Sequence, residues 1–217
     1  MIDFDAAREV MVDGQIRPSD VTRYPIIEAF LRIPREEFVP EALRPVAYVG
    51  EHVPLGPGRV LLDPRVFGKL LDAVNAGPAD LVLDVGCGLG YSSAVLGRLA
   101  EAVVALEEDA AMAAEAETRL ARHGADNAMV VTGPLAEGSP RHGPFDVILF
   151  EGAVEQVPAT FTAQLKPGGR IAAVFADGQS GQARLGVHSA GRIVWRRIFD
   201  ATAPVLPGFS GAKAFEF

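Results

Sequence analysis

From residue 80 onward the apolar positions fall into short runs separated by longer stretches of mixed character. The runs at 81–85, 102–107, 128–132, 145–150 and 169–175 predict five strands. The stretches at 91–99, 109–122 and about 155–165 predict helices between them. The 109–122 segment is rich in alanine, with acids toward its start and Arg119 and Arg122 toward its end, and Gly124 stops it. Lys166-Pro167-Gly168-Gly169 reads as a turn feeding the fifth strand. Ala183 to Phe199 reads as two strands joined at Ser189-Ala190-Gly191, an antiparallel hairpin at the sheet edge. Strands alternating with helices predict an α/β fold built on a mostly parallel, doubly wound sheet.

The first third of the chain has a different pattern. Phe4, Ala7, Val10 and Met11 give an amphipathic helix over residues 4–17 that ends near Gly14. Ser19 or Asp20 is placed to cap a second helix through Ile26, Ile27, Phe30 and Leu31. Ile33 to Asp63 carries five prolines and three glycines, which predicts turns and short pieces of structure. Val66 to Val74 is again helical by pattern. The expected organisation is a helical, proline-rich N-terminal cover over residues 1–79 on an α/β domain over 80–217, as one compact unit.

Composition narrows the function classes. A net charge of −8 over 217 residues argues against nucleic acid as the main partner. Arg192, Arg196 and Arg197 cluster near the end, and that spacing fits the solvated face of a strand. No apolar run approaches the roughly 18 residues of a membrane span, and the acidic start is unlike a secretory signal. One cysteine, Cys87, excludes an internal disulfide, so a cytoplasmic setting is expected. His52, His123, His142 and His188 lack metal-ligand spacing and are read as surface or turn residues, so no metal is expected.

The chemistry concentrates after the first strand of the α/β half. Asp84-Val85-Gly86-Cys87-Gly88-Leu89-Gly90-Tyr91 is an acid followed by three alternate glycines at the start of a helix. Such a loop lets a ligand approach the backbone closely, beside free N–H groups at the helix start. The spacing does not satisfy the dinucleotide fingerprint G-x-G-x-x-G. An acid two residues before the first glycine is instead the pattern of S-adenosylmethionine (SAM) methyltransferases. Glu107 ends the second predicted strand, about twenty residues on, where an acid in such folds reaches the ribose. The plainer readings are a bare tight turn for the glycines and a helix start for Glu107 and Glu108. The candidate cofactor residues are Asp84, Gly86, Cys87, Gly88, Gly90, Tyr91 and Glu107. Cys87 is read as a small residue tolerated in the loop, with no histidine near it in sequence to make it a nucleophile.

Over nearly its whole length the chain resembles the protein-L-isoaspartate O-methyltransferases. The residues that carry the resemblance are Met11-Val12-Asp13-Gly14-Gln15-Ile16, Ile33 to Leu43, Ala47-Tyr48, Pro54 to Gly58, the glycine loop, Glu107, Pro144 to Ile148, and Gln164 to Arg170. The resemblance implies a Rossmann-like methyltransferase fold, SAM as cofactor, and a protein or peptide substrate. It also implies methyl transfer to the α-carboxylate of isoaspartyl residues.

The departures from the family pattern are specific. Where the family reads P-I-G-x-G-x-T-I-S-Q-P, this chain reads Pro54-Leu55-Gly56-Pro57-Gly58-Arg59-Val60-Leu61-Leu62-Asp63-Pro64. Leu62 therefore stands at the family's active-site serine, and Asp63 beside it. Two like charges at about 4 Å cost on the order of 4 kcal/mol at an effective dielectric of 20, so Asp63 is expected to oppose an anionic acceptor. Gly133-Pro134-Leu135 replaces the family's Gly-Asp-Gly, losing an acid that reads adenine, and Glu151 adds an acid near the cofactor. Three readings follow: an isoaspartyl methyltransferase; a SAM methyltransferase with another acceptor, using Asp63 or Glu151 as general base; or a degenerate relative that acts by binding.

Overall fold

In the computed structural model, which describes residues 2–178 and 180–211, seven strands form one sheet. These are β3 (Leu81–Val85), β4 (Ala102–Glu107), β5 (Ala128–Thr132), β6 (Phe145–Val154), β7 (Leu165–Asp177), β8 (Ser180–Ser189) and β9 (Arg192–Asp200). The spatial order is β5-β4-β3-β6-β7-β8-β9. Pairings from β5 through β7 are parallel, and β8 and β9 close the edge as an antiparallel hairpin turning at Ala190 and Gly191. Arg192, Arg196 and Arg197 lie exposed on β9, with Arg197 paired to Asp200. The predicted α/β fold is thus present, with its strand boundaries largely as expected.

Side chains alternate across the sheet, as a two-sided core requires. Val82, Val103, Val147 and Ala172 face a cluster shared with the N-terminal helices, including Met11, Phe30 and Phe67. Leu83, Val104, Ile148 and Ile171 face the opposite cluster with Phe161 and Phe209. The N-terminal helices are α1 (Phe4–Met11), α2 (Tyr24–Arg32) and α3 (Pro64–Val74). A separate two-stranded hairpin, β1 (Val53–Gly56) with β2 (Arg59–Leu61), precedes α3. Helices α4 (Tyr91–Gly97) and α5 (Ala110–Arg122) complete the β3–β4–β5 half, and α6 (Thr160–Gln164) leads into β7.

Several boundaries differ from expectation. The first helix stops at Met11 and passes into a π-helical turn, Val12–Ile16. Ser19 donates back to the Gln15 carbonyl at 2.7 Å, so it closes the first helical stretch. Asp20 sits in the left-handed region, and Arg23 occupies the N-cap of α2, with Pro25 in its first turn. The helix expected at 155–165 shrinks to α6: the N–H groups of Glu155 and Gln156 tie this stretch to the Phe209 carbonyl, and Pro158 disfavours helical backbone at Val157. Lys166 to Gly169 lies inside β7 as an irregularity, where the pairing jumps from Phe145↔Leu165 to Val147↔Arg170. The last two shifts reflect long-range partners that local pattern does not reveal.

Candidate active site

The chain runs outward from β3 to β4 and β5, then returns to place β6 on the other side of β3. That reversal leaves a crevice at the carboxyl end of β3, where ligands of open α/β sheets bind. The glycine loop lies in it. Gly86, Gly88 and Gly90 have φ of 81°, 58° and 93°, left-handed values that side chains rarely tolerate. The N–H groups of Gly86 and Cys87 both donate to the Leu106 carbonyl, fixing the loop to the end of β4.

Asp84 is fully buried at the crevice floor. Its Oδ2 accepts from the hydroxyls of Ser92 and Ser93 at 2.6 and 2.5 Å, while Oδ1 has no partner. Burial pushes its pKa up to about 6 against the two hydroxyls, which hold it down, and Glu107 adds to the rise.

Glu107, also fully buried, has its carboxylate engaged on both oxygens. Oε1 accepts from the Glu108 and Asp109 N–H groups, and Oε2 accepts from the Gly88 N–H at 2.8 Å. Across the same carboxylate lies the guanidinium of Arg59. Its Nη1 donates to Oε1 at 2.6 Å and its Nη2 to Oε2 at 2.7 Å. Nη2 also donates to the Gly86 carbonyl at 2.8 Å. Two apolar side chains line the rest of the loop. A Cβ at Gly88 would lie 2.6 Å from Leu55, and one at Gly86 would lie 3.2 Å from Leu206.

The segment before α3 is organised by polar contacts. Asp63 is the N-cap of α3: its Oδ1 accepts from Arg65 and Val66 N–H at 2.7 and 3.2 Å. Its own N–H donates to His52 Nδ1, so the proton of His52 sits on Nε2 and is donated to the Thr202 carbonyl. Leu62 is buried in the core cluster, and its carbonyl accepts from Nη2 of the fully buried Arg35 at 2.7 Å. A surface groove of about 510 Å³ opens beside Asp63, lined by His52, Arg65, Gln182 and Thr202.

The structure thus brings Asp84, the three glycines and Glu107 together in one crevice. Cys87 and Glu151 lie close enough to feel the charge of Asp84, whereas the Tyr91 side chain turns away. The Tyr91 ring packs among Phe38, Phe67 and Arg35 in the core. Cys87 is buried, and burial raises its thiol pKa, with Asp84 and Glu107 adding to the rise, so it stays a neutral thiol. Glu151, buried on β6 with Oε1 unpartnered, is held well above the ordinary carboxylate range by burial, and Asp84 reinforces the shift. Pro134 opens a short 3-10 turn, Leu135–Glu137, with Leu135 in the core. The four histidines are half-buried, and no group of metal-ligating side chains is found among the described residues. Sequence reading missed Arg59, Arg35, His52 and Leu206. An arginine after Pro57-Gly58 on an otherwise apolar hairpin was the only signal available for Arg59.

Residues 7–194 match the family described as protein-L-isoaspartate(D-aspartate) O-methyltransferase. A protein-L-isoaspartate O-methyltransferase of Koribacter versatilis is 39% identical over 168 residues, covering 77% of this chain and 76% of its own length. One from Methylorubrum extorquens is 37% identical over 165 residues, covering 76% of this chain and 72% of its own. Among solved structures, a protein-L-isoaspartate O-methyltransferase superposes with TM-score 0.81 at 26% identity, covering 93% of this chain and 66% of that longer one. A Plasmodium falciparum protein described as a beta-aspartate methyltransferase, in complex with S-adenosyl-L-homocysteine, superposes with TM-score 0.77 at 16% identity. That match covers 95% of this chain and 99% of the other, and it speaks to the fold alone.

Proposed function

We infer the reaction from family and site together: the chain belongs to the protein-L-isoaspartate(D-aspartate) O-methyltransferase family, and its crevice suits a methyl transfer that needs no base. The reading is SAM-dependent methylation of a carboxylate on a damaged protein or peptide. The donor chemistry of the crevice fits that cofactor. Glu107 is the acceptor for a ribose diol, the glycine loop permits close backbone approach, and the unpartnered Asp84 Oδ1 suits a cationic ligand. The cofactor supplies an electrophilic methyl on sulfur, and the acceptor carboxylate supplies the electron pair.

One observation carries the choice of acceptor. An amine or hydroxyl acceptor needs a general base, whereas a carboxylate is already ionised at neutral pH. Neither acid proposed for that role is an unencumbered base: Asp63 gives Oδ1 to the cap of α3, and burial raises the Glu151 carboxyl well above the ordinary carboxylate range, away from a ready carboxylate. The Asp63 charge also faces the positive end of α3, which offsets the repulsion expected for an anionic acceptor.

Labelled-methyl transfer from SAM to an isoaspartyl peptide, with the normal aspartyl peptide as control, tests this reading. A base-labile ester on the isoaspartyl peptide alone is expected. Transfer to an amine or hydroxyl, or to neither peptide with millimolar SAM, would overturn it.

A further inference from the structure

The carboxylate that a ribose needs is already held by the chain itself. A carboxylate offers about four lone-pair positions. On Glu107 five donors already crowd these positions, the N–H groups of Gly88, Glu108 and Asp109 and both Nη atoms of Arg59. A ribose diol therefore has to displace a donor. The backbone donors belong to the loop and to the start of α5, which are fixed by β3, β4 and the Asp109 cap. Arg59 belongs to a different element.

That element is the β1–β2 hairpin, whose two strands pair with each other and not with the seven-stranded sheet. A two-stranded ribbon has little stability of its own and depends on what its side chains touch. This hairpin lays two side chains into the crevice. Arg59 lies across Glu107 and Gly86, and Leu55 lies against Gly88, where a Cβ would come within 2.6 Å of it. Asp63 and His52, at its two ends, anchor its base to α3 and to Thr202, while toward its tip the side chains of Arg59 and Leu55 are what hold it to the crevice.

We propose that Arg59 and Leu55 form an intramolecular plug in the cofactor crevice, and that SAM binds only when the 53–61 hairpin lifts and Arg59 leaves Glu107. The proposal rests on the SAM reading above and adds a gating residue to it. Apparent affinity is the intrinsic affinity reduced by the fraction of molecules with the hairpin raised. Arg59→Met keeps the aliphatic stem and removes the competing donors. It is therefore predicted to bind more tightly than the natural chain.

The test is calorimetric titration of S-adenosyl-L-homocysteine and SAM into the natural chain, Arg59→Met and Arg59→Gln, each first shown to melt cooperatively. Hydrogen exchange of the natural chain with and without saturating S-adenosyl-L-homocysteine runs alongside. Expected are at least about tenfold tighter binding by Arg59→Met, an intermediate effect of Arg59→Gln, and faster exchange of hairpin amides on ligand addition. Equal binding by all three proteins, or hairpin amides that slow or stay unchanged, overturns the plug and leaves the SAM reading intact. No binding by any of them overturns the SAM reading and the plug with it. The exchange result stands whether or not the variants fold.

Discussion

The guanidinium of Arg59 grips the carboxylate of Glu107 with two parallel hydrogen bonds, both Nη–Oε contacts under 2.8 Å and both side chains buried. A buried pair of this kind is costly to break from one side, because the partner is left charged and unsatisfied. Glu107→Ala should destabilise the protein by about 3–5 kcal/mol in urea unfolding. Adding Arg59→Met to that variant should recover part of the loss, since the orphaned cation is gone while the loop amides still lack their acceptor. A double variant no more stable than Glu107→Ala would show that the pair is not coupled.

Why this pair was invisible in the sequence is physical. Glu107 could be placed at a strand end from the apolar run before it, because strand periodicity is local. The contact with Arg59 spans 48 positions and depends on how a hairpin folds over the sheet. The same division holds elsewhere. The β3–glycine loop–α4 unit was legible because strand, turn and helix each carry a local signal. The role of Asp63 was not, since an acid beside a proline reads equally as a cap or as a base until its backbone partners are known.

Asp63 separates those two roles by experiment. Asparagine caps a helix about as well as aspartate but cannot accept a proton. Asp63→Asn is expected to keep both stability and methyl transfer within about threefold, while Asp63→Ala loses about 1 kcal/mol of stability. A loss of a hundredfold or more in methyl transfer by a stably folded Asp63→Asn would make Asp63 a base after all.

Leu62 stands where the family's serine is expected, and its side chain belongs to the core shared with the N-terminal helices. Leu62→Ser should therefore cost about 2–4 kcal/mol, from lost packing and a buried hydroxyl. Pairing it with Asp63→Gln adds the loss of a cap, so restoring the family's residues here weakens the fold while rebuilding the motif. Urea unfolding of the single and double variants measures both costs. A change below about 0.5 kcal/mol for Leu62→Ser would show that the position is more open than its burial indicates.

Glu151 gives a pH signature. Its folded pKa is raised, so between the ordinary carboxylate range and that raised value the native state holds a proton that the unfolded chain has released. Stability then falls as pH rises through that window, by up to about 1.4 kcal/mol per pH unit for this proton. Asp84 acts in the same direction only up to about 6. Glu151→Gln removes the Glu151 contribution. Its stability relative to the natural chain should therefore grow as pH rises above the ordinary carboxylate range. A difference that stays constant as pH rises would mean that Glu151 is ionised in the native state.

If the crevice of Asp84, the glycine loop and Glu107 is the SAM site, Arg59 is its displaceable occupant. A crystal structure of the protein grown with saturating S-adenosyl-L-homocysteine tests it most directly. The account predicts the ribose hydroxyls on Glu107, with Arg59 and the 53–61 hairpin moved away. Ligand bound elsewhere, with Arg59 still across Glu107, would contradict it.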